Sequence, residues 1–309
     1  MPFICAQADK VRAWILRAAI ATMLVAIVQD VAAQGALPSG FVYLRDVDPT
    51  IAQEIRYAGS DNFVGRPLPG YEAAECILRR DVAAALKRVH AEIAAAGLSL
   101  KVYDCYRPTR AVRAMAEWVN DGRSEAPTKR FFPRVPKASL LSGYISSRSQ
   151  HSTGAAVDLT LIKASAAPSA PFDPAAAYGP CTAAVAQRSP DNSLDMGTSF
   201  DCFDSASHSA SRAVGAEQRR WRNVLVEAMR KHGFGNYDRE WWHFSYAGSG
   251  RASPFDFPIR ARSRGEPVVT DQPRSTAASP ATTAPVSISR TRRQGNARMP
   301  RHPGRRSRP

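Results

Sequence analysis

The sequence predicts an α+β fold, a single domain with a central, mainly antiparallel sheet and flanking helices. Three observations lead there. Residues 81–96 and 213–232 carry apolar side chains at helical spacing. Residues 98–105, 155–162 and 241–246 read as short strands. The chain has 309 residues, 44% of them hydrophobic, enough to bury a sizeable core.

Each element has its own warrant. Residues 41–57 read as short extended segments, and 61–71 (DNFVGRPLPGY) as a Gly/Pro-rich loop. In the 81–96 helix, Val82, Leu86, Val89 and Ile93 share a face, and Gly97 stands where a C-terminal cap belongs. Leu100 and Val102 alternate with Lys101 and Tyr103 in the strand that follows. Pro108 ends that strand, and a helix starts at Thr109 with Val112, Met115, Ala116 and Val119 on its apolar face. Residues 121–143 look irregular. Residues 164–199 form a long Ala/Pro/Ser-rich connection, of the length that marks a functional loop or an insertion. The 213–232 helix has Trp221, Val224, Leu225, Ala228 and Met229 as its stripe, and Gly233 and Gly235 punctuate its end.

The two termini differ from the body. Lys10, Arg12 and Arg17 precede an uncharged apolar run at 18–28, and Val31-Ala32-Ala33 supplies small residues for cleavage after Ala33. This is the pattern of an export signal over residues 1–33, with a buried core helix or an uncleaved membrane anchor as the alternatives. Eleven apolar residues are too few to span a bilayer, which takes about 20. At the other end, residues 260–309 hold twelve Arg and no Lys against Glu266 and Asp271. That tail therefore carries ten of the fifteen net positive charges, and the body is only mildly basic. Whole-chain charge is thus no nucleic-acid signal. The tail is rich in Pro, Ser and Arg and reads as disordered. It reads as a solvated tail, with contact to anionic envelope polymers or lipid as the sharper alternative.

Cys5 falls in the export signal, leaving Cys76, Cys105, Cys181 and Cys202. An oxidising compartment favours disulfides. Four cysteines allow three pairings. Cys76–Cys105 and Cys181–Cys202 are favoured because each would clip neighbouring segments; buried free thiols are the alternative.

Of six histidines, His90, His232 and His302 have ordinary structural explanations. His151 and His243 stand in richer surroundings. His151 opens Ser149-Gln150-His151-Ser152-Thr153-Gly154, and Asp158 follows seven positions after it in a strand. Gly154 permits a sharp turn, so His151 and Asp158 can converge. His243 closes Glu240-Trp241-Trp242-His243. Two His and one Asp are zinc-type ligands, and three protein ligands leave a fourth position open, as in catalytic rather than structural zinc sites. Zinc lowers the pKa of bound water towards ~7, and Glu240 is the candidate general base. Hydrogen-bonded core residues remain the alternative reading of this spacing. The HExxH helix of common zinc proteases is missing.

Ser-x-His-x-x-Gly-x-Ala-x-Asp followed by Glu-Trp-Trp-His resembles the D-alanyl-D-alanine dipeptidases, the group that includes a vancomycin-resistance dipeptidase. These belong to the wider lysostaphin, D-Ala-D-Ala metallopeptidase and hedgehog set. Asp61-Asn62-Phe63-Val64-Gly65, Tyr106-Arg107-Pro108, Met196-Gly197-Thr198-Ser199-Phe200-Asp201 and Phe255-Asp256-Phe257-Pro258 extend the resemblance over residues 41–259. It implies one zinc ion held by His151, Asp158 and His243, with Glu240 as base and Arg107 stabilising the oxyanion. It further implies Asp201 at the substrate's amino group and Ser149 near its carboxylate. His208 resembles a family position and is read as structural or pocket-lining. The 158–201 stretch looks longer than in compact members, and Cys105 stands where the resistance enzyme has a small residue.

The function implied is hydrolysis of the D-Ala-D-Ala dipeptide in cell-wall peptide turnover, in the periplasm or outside the cell, with no nucleic-acid partner and no stable membrane span once the signal is removed. Depletion of a cytoplasmic pool, as resistance requires, suits an exported enzyme poorly. The alternatives are a carboxypeptidase or endopeptidase on longer stem peptides, and a non-enzymatic zinc- or wall-binding module.

Overall fold

A computed structural model describes residues 37–124, 126, 128–249 and 252–262. The export segment and nearly all of the basic tail, His302 included, lie outside the described residues. Strand Phe41–Tyr43 (β1) pairs antiparallel with Ile77–Arg79 (β3). Five further strands make the main sheet: Ala52–Gln53 (β2), Leu98–Asp104 (β4), Ala156–Lys163 (β5), Phe234–Asn236 (β6) and His243–Tyr246 (β7). Their spatial order is β2-β4-β5-β7-β6. The short β2–β4 pair is parallel and the other three pairs are antiparallel, which makes the sheet mainly antiparallel.

Among the described residues, four α-helices accompany the sheet: Leu44–Val47 (α1), Arg80–Ala94 (α2), Thr109–Val119 (α3) and Ala216–Lys231 (α4). Helix α2 packs on β4, α4 packs on β5 and β6, and the two helices touch each other. The reasons are local. In α2, Val82, Leu86, Val89 and Ile93 are buried along one stripe. Gly97, at φ +72°, then turns the chain back into β4. Pro108 precedes α3, where its missing N–H leaves no helical bond unmade. All seven residues of β4 are buried, so this strand is covered on both sides. That covering makes room for function at its end rather than along its length.

The structure refines several expectations. Helix α4 begins at Ala216, after Gly215. Its buried face includes Arg222, whereas Trp221 is half-buried. Arg222 donates to the carbonyls of Met196 (2.8 Å) and His208 (2.7 Å), so a charge inside the stripe pins two loops. Burial pushes its guanidinium down to about 10. On α3, Trp118 is buried and Ala116 is half-buried. Residues 121–143 contain short 3-10 turns at Lys129–Phe131 and Lys137–Ser142. The last strand begins at His243, with Trp241 and Trp242 buried just before it. Gly235 lies inside β6, opposite Ser245. A three-residue strand with a central glycine has little intrinsic propensity, and its pairing comes from β7.

The 164–199 connection is irregular, with one 3-10 turn at Val185–Gln187. Charge holds it to the sheet. Lys101 on β4 donates to Asp191 (2.6 Å), Asn192 (2.8 Å) and Glu54 (2.8 Å). Arg56 reaches Asp191 at 3.1 Å, and the Tyr103 hydroxyl donates to it at 2.7 Å. Two disulfides, Cys76–Cys105 and Cys181–Cys202, tie further segments together. No helix among the described residues is long and apolar enough to cross a membrane.

Candidate active site

Register brings the site together. Asp104 on β4 stands opposite Asp158 on β5, and Asp158 stands opposite His243 on β7. His151 arrives from a 3-10 turn, Gln150–Thr153, just ahead of β5. Gly154 ends that turn in the left-handed region at φ +74°. A Cβ there would fall 2.3 Å from the Phe41 ring, so both backbone angle and space require glycine. The Ser149 hydroxyl caps the turn by accepting from the His151 backbone N–H at 3.2 Å.

His151 Nε2 lies 3.2 Å from Asp158 Oδ1 and 3.1 Å from His243 Nδ1. His243 Nδ1 lies 3.0 Å from the same Asp158 oxygen. Three ligand atoms thus converge on one point. The tautomer of His151 follows from its other side. Nδ1 sits 2.7 Å from the Cys105 carbonyl, which can only accept, so Nδ1 carries the proton. Nε2 is then the ring nitrogen turned towards Asp158 and His243, where it can serve as a metal ligand. The donor set of two imidazole nitrogens and one carboxylate, with one ring held by a buried carbonyl, fits zinc. Burial lowers His243, against the pull of Asp158, and so favours the neutral, ligating form.

Glu240 is 8% exposed, and its Oε2 lies 4.0 Å from His243 Nδ1. Burial pushes its carboxyl well above the usual range, with Asp158 and Asp201 adding to this and Arg107 opposing it. A dication at the triad would reverse much of that shift, since a bound ion dominates the local charge.

Arg107 is fixed from several directions. Its Nε donates to Asp104 Oδ2 at 2.9 Å, and one Nη reaches Asp158 at 3.5 Å. Its guanidinium lies 4.9 Å from the centroid of the Tyr57 ring. Burial works against its charge, but Asp104 and its neighbours hold it well above the ordinary value. The charge is permanent.

Asp201 is buried and takes the Tyr57 hydroxyl against both carboxylate oxygens, at 3.1 and 2.9 Å. Burial and Asp158 push its carboxyl well above the usual range, with Tyr57 and Arg107 opposing. Arg107, Ser149, His151, Asp158, Asp201, Glu240 and His243 all line one cavity of about 590 Å³. His208 lies at its margin, 3.4 Å from the Tyr144 hydroxyl. His90 is elsewhere, buried between Asp48 (2.8 Å) and Ser99 (2.9 Å). His232 pairs with Glu92 at 2.9 Å.

Sequence reasoning missed Tyr57, Tyr71 and Asp104. Asp104 is fully buried, holds Arg107, receives the Tyr71 hydroxyl at 2.6 Å and lies 3.4 Å from His151 Nδ1. Its only sequence signal is its place three residues before Arg107.

The profile of a family described as D-ala-D-ala dipeptidase matches residues 38–170 and 179–259. The chain belongs to that family. It is 32% identical over 224 residues to a D-alanyl-D-alanine dipeptidase of Streptomyces coelicolor, covering 71% of this chain and 98% of that one. The Enterococcus faecalis D-alanyl-D-alanine dipeptidase is 30% identical over 209 residues, covering 67% and 92%. The enzyme is therefore a metallopeptidase of this family. Its fold is also similar, weakly, to the solved LdcB LD-carboxypeptidase (16% identity, TM-score 0.32, 70% of this chain and 72% of that one). A mutant of the vancomycin-resistance D,D-pentapeptidase VanY in complex with Zn(II) scores 0.29 at 15% identity, covering 64% and 88%. The unmatched residues, 171–178, fall within the long 164–199 connection, so it is there that the chain departs from its family.

Proposed function

We propose that the enzyme is an exported, zinc-dependent dipeptidase that hydrolyses D-alanyl-D-alanine to two D-alanines. His151, Asp158 and His243 hold one zinc ion. When bound, zinc supplies a Lewis acid that acidifies water and polarises a peptide carbonyl. The chain's own residues do the rest. Glu240 takes the proton of the attacking water and hands it to the leaving amine. Arg107 presents its fixed charge where the carbonyl oxygen becomes negative. Asp201 receives the substrate's ammonium group, and Ser149 lies towards its carboxylate. In the cell wall this activity serves peptide turnover. The mature chain begins after residue 33, its catalytic domain spans 41–259, and the basic tail beyond it contacts anionic envelope components.

The observation that carries the reading is that one cavity holds the ligand triad, Glu240 and a further buried carboxyl, Asp201. A carboxyl shut away from water becomes a stable anion only beside a cation. A free amino terminus supplies one, and an acylated peptide does not.

The test compares D-Ala-D-Ala with its N-acetyl form. The free dipeptide should be preferred by roughly 100-fold in kcat/KM, the scale expected when a buried charge loses its partner. Asp201→Ala should raise KM for the free dipeptide and narrow that preference. Faster cleavage of the acetylated peptide would shift the assignment to a carboxypeptidase on longer stem peptides.

A further inference from the structure

We propose that the two disulfides are positioning struts for opposite halves of the site. Cys76–Cys105 holds the metal and oxyanion half, and Cys181–Cys202 holds the half that takes the substrate's amine. This rests on the roles given above to the triad, Arg107 and Asp201.

Cys105 lies in a run of four residues that all bear on the site or its support. Asp104 holds Arg107. The carbonyl of Cys105 itself fixes the His151 ring at 2.7 Å. Tyr106 N–H donates to the Ile77 carbonyl at 2.9 Å, and Arg107 N–H donates to the His151 carbonyl at 3.2 Å. The β4–β5 ladder shifts register between Val102 and Asp104, so it backs this run poorly. Cys76 immediately precedes β3, which belongs to the other sheet. The disulfide therefore braces the run covalently from a second sheet, and both cysteines are buried.

Cys202 follows Asp201. Asp201 is the one non-glycine residue among those described with positive φ, at +56°. Such a backbone persists where its surroundings over-determine it. Cys181 helps do so: its carbonyl accepts from Ser199 N–H at 2.9 Å, while its sulfur is bonded to Cys202. Asp201 is thus clamped on both sides through one partner residue.

Chain entropy alone would make the two disulfides nearly equivalent. They close loops of similar length, with separations of 29 and 21 residues, and loop length enters only logarithmically. Positioning makes them different.

The experiment compares Cys76→Ala/Cys105→Ala with Cys181→Ala/Cys202→Ala. Zinc affinity is read by chelator competition, and kcat and KM on D-Ala-D-Ala. The first pair should weaken zinc binding roughly 10- to 100-fold, the usual scale for losing a group that orients a ligand, and lower kcat with KM little changed. The second pair should leave zinc affinity unchanged and raise KM roughly tenfold or more, as a displaced carboxylate loses its charge-assisted contacts. Unchanged zinc affinity in the first pair, or the same pattern of losses in both, would overturn the proposal. Zinc affinity needs no turnover, so a parent that binds zinc but ignores the dipeptide would fault the functional reading and leave the first strut testable. A second measurement uses the unmodified protein. The Tyr106 and Arg107 amides should be equally protected from hydrogen exchange with and without zinc. Loss of that protection on zinc removal would mean that the metal, not the disulfide, holds the run.

Discussion

Tyr57 does two jobs with one side chain. Its ring lies beneath the Arg107 guanidinium, and its hydroxyl donates to both oxygens of Asp201. Tyr57→Phe separates the two, because the ring stays and the donor goes. Hydrogen bonds to charged groups contribute about 1.5–3 kcal/mol. KM for the dipeptide should therefore rise by roughly 10-fold or more, with kcat nearly unchanged. A fall in kcat alone, at constant KM, would place the hydroxyl on the reacting centre instead. Gly154 is the other residue with a sharp expectation. Gly154→Ala puts a Cβ into the Phe41 ring at a backbone angle that L residues avoid. The cost should be about 1–3 kcal/mol, read from urea unfolding, together with weaker zinc binding as His151 moves. Unaltered stability would show that the turn relaxes without cost.

Elements with a strong period were legible from sequence. Helix α2 and strands β4 and β5 lie within a residue or two of where their apolar spacing puts them. What the spacing missed is short or non-local. Strand β2 has two residues and α1 has four, too few to show any period. Strand β6 exists because β7 pairs with it, glycine included. The same division runs through the site. His151, Asp158, Glu240 and His243 stand in two compact motifs, so spacing exposes them. Asp104 and Tyr57 acquire their roles only through cross-strand register and loop packing, and one sequence read alone does not encode these visibly. Strand β5 carries Asp158 on one position and the buried Leu161 three residues on. Leu161→Ala should cost about 2–5 kcal/mol in unfolding free energy while leaving zinc affinity intact. Loss of zinc binding in a folded variant would show that core and site are coupled through the strand.

At the scale of the whole molecule, the 164–199 connection is fastened to the sheet by charge. Burial alone would raise the Asp191 carboxyl, but Arg56 and Lys101 beside it hold it well below the usual range. A depressed carboxyl contributes stability above its unfolded pKa of about 3.9, and that contribution is lost as pH falls through the folded value. Stability should therefore decline below about pH 4, and Asp191→Asn should flatten that decline while costing about 3 kcal/mol near neutrality. Parallel acid unfolding curves for parent and variant would remove Asp191 from the account. Sheet residues Asp158 and His243 and the loop residues Arg107, His151, Asp201 and Glu240 share one cavity, and the account stands or falls on what that cavity does. The decisive measurement is D-alanine release from D-Ala-D-Ala by the zinc-loaded mature protein, beside Glu240→Ala. The parent should release two D-alanines per dipeptide. The variant should keep its zinc and lose roughly 100-fold or more in kcat, the scale of a missing general base. A folded, zinc-loaded parent that releases no D-alanine would contradict the dipeptidase reading outright.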